Sequence, residues 1–376
     1  MIYLNQAATS YPKPQRVQIA HAASLSAPPV GQYRSSLTAE KDIFDTCREN
    51  LGKLFGIEKD SRIFFASGAT EASNVLIHGM DFLQKHVVTT ATEHNSILRP
   101  LLNRKEGKKY TTIVGCDGKG RVDPKEIEKG IKEDTKAVFL NHCSNVTGMI
   151  QDVEAISRIA HEKGVLLILD ASQSAGCIPI NVDEWGVDGL IFTGHKSLFG
   201  SQGMGGYYLR EEIALKPLLY GGTGLDSSRI IYYEPPYEYE VGTQNTPGII
   251  ALNEGVSYVL ERGIENIKIK EQGLLREIYE RLAIIEEITL YGSHQTNKGP
   301  VLSFNINGLN PSDVAYILQN GYNIVIRAGL HCAPLIHQYI GSEAKGTCRV
   351  SISDLTTEDD VEAFLSAIKD IVRSMG

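Results

Sequence analysis

The feature that most constrains the fold is a series of short segments that are apolar throughout and end in polar or glycine-containing turns. A half-buried strand would alternate apolar and polar residues, whereas a uniformly apolar segment is typical of a parallel strand buried on both faces. Segments with helical spacing, such as residues 51–55 and 153–161, lie between them. This alternation predicts an α/β fold with a mainly parallel sheet. The candidate strands are residues 62–65, 86–88, 137–140, 165–169 and 189–192.

The last third of the chain has a different pattern, with a long helical stretch from about residue 252 to residue 285. A helix is predicted to begin at Pro311, and a final helix after Thr357, which stands at capping-box spacing from Asp360. The pattern predicts a smaller α+β domain. We expect residues 15–255 to form the large domain, and residues 1–14 and 256–376 the small one. The strand candidates here are residues 288–291, 301–305, 324–326 and 349–352.

Composition argues against several classes of function. The 376 residues include 37 Lys and Arg and 45 Asp and Glu, a formal net charge of −8. No region is strongly basic, which disfavours nucleic acid and anionic membranes as partners. The longest aliphatic run, residues 165–169, is far shorter than the roughly 20 residues that a membrane-spanning helix needs. The N-terminus has no secretory-signal pattern, and we expect a cytoplasmic protein.

Polar residues gather where the candidate strands end, and ligands bind at that edge of an α/β sheet. Asp170 closes one strand, Lys196 follows the next, and residues 67–71 form a small-residue turn that opens a helix, a place suited to a phosphate. His94 follows a third strand. Each feature alone has an ordinary explanation as a cap, a solvated charge, a βα turn or a structural histidine. Together they suit pyridoxal 5'-phosphate (PLP), which needs a lysine amine, an acid at its ring nitrogen, phosphate donors and a flat group against the ring.

Several motifs resemble those of the class V aminotransferase family of PLP enzymes, in matching order over essentially the whole chain. The resemblance implies the PLP-dependent fold type I, which is aspartate aminotransferase-like, with a large domain of mainly parallel sheet and a smaller α+β C-terminal domain. The motifs are Tyr3-Leu4-Asn5-Gln6-Ala7-Ala8-Thr9, Thr92-Glu93-His94-Asn95, Ser144-Asn145-Val146-Thr147-Gly148, Asp170-x-x-Gln173, Thr193-Gly194-His195-Lys196 and Gly242-Thr243-Gln244-Asn245-Thr246-Pro247.

The resemblance implies a role for each matching residue. Lys196 would attach PLP through its amine and later move protons at the substrate Cα. His94 would stack on the cofactor ring. Thr243 would reach the phosphate of the partner subunit's cofactor, so a homodimer is expected. Asp170 would pair with the ring nitrogen, Gln173 with the ring hydroxyl, Asn145 with the ring and the substrate carboxylate, and Ala69, Thr70, Thr193 and His195 with the phosphate.

Cys332 stands apart from the other cysteines because it lies in a loop beside His331 and near Arg327, and nearby cations activate thiols. The segment resembles the R-x-G-x-H-C-A motif of group II (SufS-like) cysteine desulfurases, in which the matching cysteine attacks the sulfur of substrate cysteine. Arg349 matches the family arginine that binds the substrate α-carboxylate, for which a planar guanidinium is well shaped. No C-x-x-C pair indicates a zinc or redox site. Structural roles are expected for Cys47, Cys116, Cys143, Cys177 and Cys348.

The implied activity is a PLP-dependent cysteine desulfurase that converts L-cysteine to L-alanine, leaves a persulfide on Cys332 and passes the sulfur to an acceptor, with an acceptor protein expected. Selenocysteine could follow the same path. Alternatives on the same fold are a selenocysteine lyase, a cysteine or cystine C–S lyase, or an aminotransferase. A sulfur-delivery scaffold that mainly binds an acceptor is disfavoured by the intact set of site residues. A nucleotide-binding α/β protein is disfavoured because the sequence lacks a G-x-G-x-x-G or P-loop at a strand end.

Three features depart from the family pattern or have no clear role. Arg34 matches the family pattern only loosely, and we favour the interpretation that it does not approach the active site. Residues 221–242 are compact and tyrosine-rich, and we expect their aromatic side chains to pack at the dimer interface rather than to contact substrate. His337 is expected at the surface. The tyrosines are Tyr232, Tyr233, Tyr237 and Tyr239.

Overall fold

The structure is a computed structural model that describes residues 1–26, 42–80, 82, 84–222, 228, 230, 239–292 and 298–375. The chain begins with the short strand β1 (Ile2–Tyr3), and the next seven strands form one sheet. These strands are β2 (Ile63–Ala66), β3 (His86–Thr90), β4 (Thr111–Val114), β5 (Thr135–Asn141), β6 (Leu166–Asp170), β7 (Gly189–Thr193) and β8 (Gly205–Leu209).

The strand order of this sheet is β2-β8-β7-β6-β5-β3-β4. Every neighbouring pair is parallel except those that β8 makes with β2 and β7. Along β6, Leu167 and Leu169 join one core cluster, whereas Ile168 joins another on the opposite face. The sheet is therefore buried on both faces, as the apolar segments predicted. The register pairs Asn141 with Asp170, so polar side chains at the strand ends lie side by side.

Helices cover both faces of the sheet. Leucine, isoleucine and phenylalanine side chains of the second, sixth and eighth helices pack on the face that holds Leu167, whereas the third and fourth helices cover the face that holds Ile168. In chain order the helices are α1 (Gln15–Ser24), α2 (Ile43–Phe55), α3 (Ala69–Gly79), α4 (Asn95–Asn103), α5 (Pro124–Gly130), α6 (Val153–Glu162), α7 (Val182–Trp185), α8 (Thr246–Arg262), α9 (Ile264–Ala283), α10 (Pro311–Tyr322), α11 (Ile336–Ile340) and α12 (Glu358–Arg373).

The C-terminal part has its own small antiparallel sheet and a separate core cluster, to which Leu4 of the N-terminal segment also belongs. Its strand order is β12-β13-β10-β9, and β1 pairs in parallel with β11. This is the predicted α+β pattern, while the domain limits given above stay a prediction. The strands are β9 (Ile288–Tyr291), β10 (Val301–Ile306), β11 (Ile324–Val325), β12 (Arg327–Gly329) and β13 (Thr347–Ser351).

Two helix predictions differ from the structure. The helical stretch over residues 252–285 is two helices, because Gly263 has φ 80° and ψ 119° and so ends α8 before α9 begins. Helix α3 begins at Ala69, in the middle of the small-residue turn of residues 67–71 rather than after it. Among the helices of the described residues, none is both long and apolar enough to cross a membrane.

The predicted capping box of the last helix is present and yields a stability test. The Thr357 hydroxyl accepts the Asp360 N–H at 3.2 Å, and the Thr357 N–H donates to the Asp360 carboxylate at 2.9 Å. Because Thr357→Ala removes the first bond, we expect it to lower the free energy of unfolding by about 1 kcal/mol. Thr357→Ser keeps the hydroxyl and should cost less. Urea denaturation followed by circular dichroism measures both, and equal midpoints for all three proteins would contradict the cap.

Candidate active site

A cavity of about 420 Å³ lies at the carboxyl edge of the large sheet. It is bounded by the ends of β5, β6 and β7, by the start of α3 and by the small sheet. Cys332 and Thr243 are not among the residues that line it. The predicted site residues that do line it are Ala69, Thr70, His94, Asn145, Asp170, Gln173, Thr193, His195, Lys196 and Arg349.

Asp170 is the last residue of β6 and is buried. Its Oδ1 accepts hydrogen bonds from the backbone N–H and the hydroxyl of Ser172, whereas its Oδ2 has no hydrogen-bond partner among the described residues. Burial raises the pKa of Asp170, and the Ser172 hydrogen bonds and the Lys196 charge oppose that rise. The carboxyl is thus fixed on one side and has one oxygen left for a ligand.

Lys196 follows β7, and contacts from the N-terminal segment fix the backbone around it. The Ser10 hydroxyl donates to the Lys196 carbonyl at 2.8 Å, and the Ser10 N–H donates to the His195 carbonyl at 2.9 Å. Lys13 Nζ donates to the same His195 carbonyl at 2.9 Å. Burial lowers the pKa of Lys196 to about 8; Asp170 raises it, and Arg349 and Arg327 lower it further. The amine is therefore held in place and is easier to deprotonate than that of a solvated lysine.

The first turn of α3 opens on the cavity with no side-chain cap. Gly68 precedes it with φ 153°, a backbone conformation that favours glycine, and a Cβ at Gly205 would lie 2.7 Å from the Gly68 Cα, so the glycine at 205 permits this close approach. Thr193 and His195 line the same part of the cavity, and the buried Nδ1 of His195 has no partner among the described residues. Burial lowers the pKa of His195 to about 4. Free N–H groups at a helix N-terminus favour a phosphate.

His94 is the N-cap residue of α4. Its Nδ1 accepts the Ser96 N–H at 3.0 Å, so the ring proton is on Nε2. Burial lowers the pKa of His94 to about 4, and the nearby charges of Lys196, Arg327, Arg349 and Arg99 act in the same direction. The cavity is therefore bordered by a flat, neutral imidazole.

Gln173 and Asn145 are both buried and both make contacts that orient their amides. The Gln173 amide donates to the Ala7 carbonyl at 3.0 Å. The Asn145 amide donates to the His331 carbonyl at 2.6 Å, and its Oδ1 has no partner among the described residues. The amide nitrogen of each side chain is thus hydrogen-bonded to a backbone carbonyl, and Oδ1 of Asn145 is left for a ligand.

Arg349 is buried, with 1% of its surface exposed, and is therefore not a surface charge. Its guanidinium donates to the Asn145 carbonyl at 3.0 Å and to Asn5 Oδ1 at 3.2 Å, while its Nε has no partner among the described residues. Arg327 lies directly opposite it on the neighbouring strand β12. Burial, and the Arg327 charge after it, lower the pKa of Arg349 to about 9. Two arginines side by side repel each other unless an anion lies between them.

Cys332 lies in the turn between β12 and α11, and its backbone is unusual. His331 and Cys332 have φ of 50° and 60°, a region that residues with a side chain seldom adopt. Hydrogen bonds hold both carbonyls: the Asn95 N–H donates to that of Cys332 at 2.7 Å, and Asn145 to that of His331. Arg327 Nη2 donates to the Cys332 sulfur at 3.3 Å. Asn95 and Asn145 thus hold the turn in which the thiol lies beside an arginine that also lines the cavity.

The prediction that His337 lies at the surface is wrong. Its side chain is fully buried in α11, with Nδ1 against the Ser342 hydroxyl at 2.7 Å and Nε2 against the Leu330 carbonyl at 3.2 Å. These two contacts satisfy both ring nitrogens, which is why an imidazole can be buried there. His337 therefore supports the turn that carries Cys332.

Sequence reasoning did not single out several residues that shape the site. Ser172 binds Asp170, Lys13 binds the His195 carbonyl, and Glu71 lines the cavity and accepts the Ser67 N–H at 2.7 Å. The Asp-x-Ser spacing of an Asx turn could have indicated Ser172. No local signal indicated Lys13, because its partner is 182 residues away.

Thr243 is exposed outside the cavity, so its predicted contact with the partner subunit's cofactor stays a prediction. Arg34 lies outside the described residues, as do Tyr232, Tyr233 and Tyr237. Tyr239 is described and packs within its own chain, with its ring 5.1 Å from that of Phe64 and its hydroxyl against the backbone of Leu215.

The residues of the cavity fit PLP. The unpartnered Asp170 Oδ2 is available for a protonated ring nitrogen, and the open N-terminus of α3 is available for a phosphate. Lys196 supplies the amine, and the neutral imidazole of His94 supplies a flat surface. A buried acid, a half-buried lysine and an uncapped helix start in one cavity are the groups that this cofactor requires.

Comparison with known proteins relates nearly the whole chain to class V aminotransferases. The family model of class V aminotransferases matches residues 2–364. The chain is 34% identical to a "probable cysteine desulfurase" of Methanothermobacter thermautotrophicus, over 91% of this chain and 86% of that protein. A "probable cysteine desulfurase" of Pyrococcus abyssi is 32% identical, over 100% of this chain and 95% of that protein.

Solved structures have the same fold. The apo structure of a cysteine desulfurase from Thermococcus onnurineus aligns with a TM-score of 0.88 and 30% identity, over 99% of this chain and 95% of that one. The cysteine desulfurase CsdA from Escherichia coli also aligns with a TM-score of 0.88, over 99% and 94%, at 24% identity. These matches confirm the predicted fold and the resemblance on which it was based. The chain belongs to the class V aminotransferase family.

Proposed function

We propose that this protein is a PLP-dependent cysteine desulfurase that converts L-cysteine to L-alanine and leaves a persulfide on Cys332. The observation that carries the proposal is the hydrogen bond from Arg327 to the Cys332 sulfur, since Arg327 also lines the cavity that contains Lys196. The names of the relatives favour a desulfurase over a selenocysteine lyase or a C–S lyase. The alternatives predict other products and are tested below.

The residues that would hold PLP are those of the cavity. Lys196 would attach it, Asp170 would pair with its ring nitrogen, and His94 would lie against its ring. When bound, PLP supplies an electron sink for the bonds at Cα and Cβ of an amino acid. Gln173 and Asn145 would contact the ring, and Ala69, Thr70, Thr193 and His195 the phosphate.

Arg349 would bind the substrate α-carboxylate, with Arg327 beside it. A guanidinium meets a carboxylate through two parallel hydrogen bonds, and Arg349 Nε has no partner among the described residues. A carboxylate between the two arginines would also relieve their repulsion. The substrate would therefore be oriented from the small sheet, while Lys196 faces it from the large sheet.

Lys196 would move the protons. With its pKa near 8, about a tenth of the amine is neutral at pH 7 and can accept a proton from the substrate Cα. The same nitrogen would return a proton to the product. The hydrogen bonds of Ser10 and Lys13 to the backbone at His195 and Lys196 keep this group from shifting.

Cys332 would take the sulfur. Its thiolate attacks the Sγ of L-cysteine, a sulfur–sulfur bond forms, and the Cβ–Sγ bond breaks. The electron pair of the broken bond leaves with the carbon skeleton, which departs as alanine after protonation. The balance is L-cysteine plus the Cys332 thiol giving L-alanine plus the Cys332 persulfide, with no external oxidant. Arg327 would stabilise the attacking sulfur as an anion.

Several finer statements belong to this proposal. The active form is a homodimer in which Thr243 reaches the partner subunit's cofactor. The protein is of the group II branch, is cytoplasmic, and passes sulfur to an acceptor protein. L-cysteine is its substrate, and selenocysteine could enter the same site. The Arg327-Ala328-Gly329-Leu330-His331-Cys332-Ala333 motif supports the branch.

Product analysis separates the proposal from its alternatives. The PLP-loaded protein should form alanine and sulfide in step from L-cysteine with a reductant present. Cys332→Ala should lower that rate by at least about a thousandfold, since a nucleophile is lost. Cys116→Ala removes another partly exposed thiol and should keep full activity. Pyruvate and ammonia unaffected by Cys332→Ala would indicate a C–S lyase, and alanine from selenocysteine alone would indicate a selenium-specific lyase.

Arg349→Lys tests the carboxylate site. The variant keeps a positive charge but loses the two-pronged hydrogen bond, which is worth about 1.5–3 kcal/mol for a charged pair. We expect the KM for L-cysteine to rise by about tenfold to a hundredfold. Bound-PLP absorbance and the melting temperature serve as controls for an intact site. An unchanged KM in a variant that retains both would contradict the assignment.

The lowered pKa of Lys196 can be measured in cofactor-free protein by pulse labelling with acetic anhydride and mass spectrometry. Only the neutral amine reacts, so labelling of Lys196 should reach half its maximum near pH 8, well below the value of about 10.4 for a solvated lysine. The Asp170 charge raises the Lys196 pKa, so Asp170→Asn should move the midpoint to lower pH. A midpoint near pH 10, or a shift to higher pH in Asp170→Asn, would contradict this account.

A further inference from the structure

A second concavity, of about 450 Å³, adjoins the cofactor cavity between α3 and α4. We call it the α3–α4 groove. Cys332 lines this groove and not the cofactor cavity, whereas Thr70, His94 and Ser96 line both. The thiol therefore lies near the place where the two spaces adjoin, and Arg327, which lines the cavity, contacts its sulfur. The proposed function uses only one of these spaces.

The side chains that line the α3–α4 groove include no carboxylate, and most of the exposed lining surface is apolar. Arg99 of α4 and His78 of α3 are exposed at the groove, and Asn74 and Asn103 add amides from the same two helices. Arg99 forms no ion pair with a carboxylate of the described residues. It is close enough to His94 for its charge to act on that ring. The groove therefore favours an anion.

We propose that the α3–α4 groove is a site at which a small anionic thiol, besides the acceptor protein, takes the sulfur of Cys332, an inference that rests on the proposed function. The acceptor thiolate attacks the outer sulfur of the Cys332 persulfide. A new sulfur–sulfur bond forms on the acceptor, the bond to Cys332 Sγ breaks, and its electron pair restores the Cys332 thiolate. No oxidant or reductant is consumed. The products are the acceptor persulfide and the free enzyme.

The size and charge of the groove determine the class of acceptor. Its volume lies in the range that encloses small ligands, roughly 300–1,000 Å³. Arg99 would bind a carboxylate of the acceptor while its thiol reaches Cys332. The substrate carboxylate, by contrast, would bind Arg349 on the cavity side. L-cysteine and the acceptor would thus react at the same thiol without competing for one arginine.

Alkylation of Cys332 tests the groove without any turnover. Iodoacetate and iodoacetamide have the same leaving group and nearly the same size, but only iodoacetate is an anion. In the PLP-loaded protein, Arg99→Gln should lower the iodoacetate-to-iodoacetamide rate ratio at Cys332 by about twofold to fivefold, the effect of one exposed ion pair. Arg158→Gln, an exposed arginine on α6 outside the groove, should leave the ratio unchanged. Peptide mass spectrometry measures both rates.

A second experiment measures turnover with two acceptor thiols of equal chain length, the anionic 3-mercaptopropionate and the neutral 3-mercapto-1-propanol. Arg99→Gln should lower kcat/KM about twofold to fivefold for the first and leave the second unchanged, with the single-turnover yield of alanine intact. An unchanged alkylation ratio, or an equal fall in Arg158→Gln, would overturn the groove as an anion site. Absence of alanine would instead refute the desulfurase proposal, while the alkylation ratio would still decide whether the groove prefers anions.

Discussion

The structure depends on two opposite charges placed at the ends of neighbouring parallel strands. Asp170 ends β6 and Lys196 follows β7, and burial shifts both pKa values toward the neutral forms while each charge opposes the shift of the other. Burying either group alone would be costly. The sheet order, the Ser172 hydrogen bonds and the N-terminal contacts around His195 together hold them in one cavity. That arrangement is the basis for binding a cofactor with a basic ring nitrogen and an aldehyde.

The second half of the site comes from the small sheet. Arg349 and Arg327 face each other on β13 and β12, and Arg349 reaches across to Asn145 and Asn5. The guanidinium thus connects the small sheet with a loop of the large sheet and with the N-terminal segment. Cys332 follows on the same small-sheet unit, with its carbonyl held by Asn95. Arg349 and Cys332, the proposed carboxylate-binding group and the proposed nucleophile, therefore share one support.

Sequence patterns predicted those features of the fold and of the site that depend on residues close together in the chain. Uniformly apolar segments located the parallel strands β3, β5, β6 and β7 because both faces of that sheet are buried, and strand-end polarity located Asp170 and Lys196. The candidate at residues 62–65 is instead the antiparallel strand β2, and the parallel strand β4, which is only partly buried, was missed. The break at Gly263 was missed because helical spacing continues through it. The burial of His337 was missed because its partners, Ser342 and Leu330, are recognisable only once the turn has folded. The position of Cys332 between two concavities depends on contacts with distant helices, which no local pattern encodes.

The most direct test of the central claim is the mass of Cys332 itself. PLP-loaded protein is mixed with a limiting amount of L-cysteine, without reductant, and the peptide containing Cys332 is analysed by mass spectrometry. Our account predicts that this peptide gains one sulfur atom in equal amount to the alanine formed, and that peptides with the other cysteines do not. Alanine or pyruvate formation with an unmodified Cys332, or a persulfide on another cysteine, would contradict it.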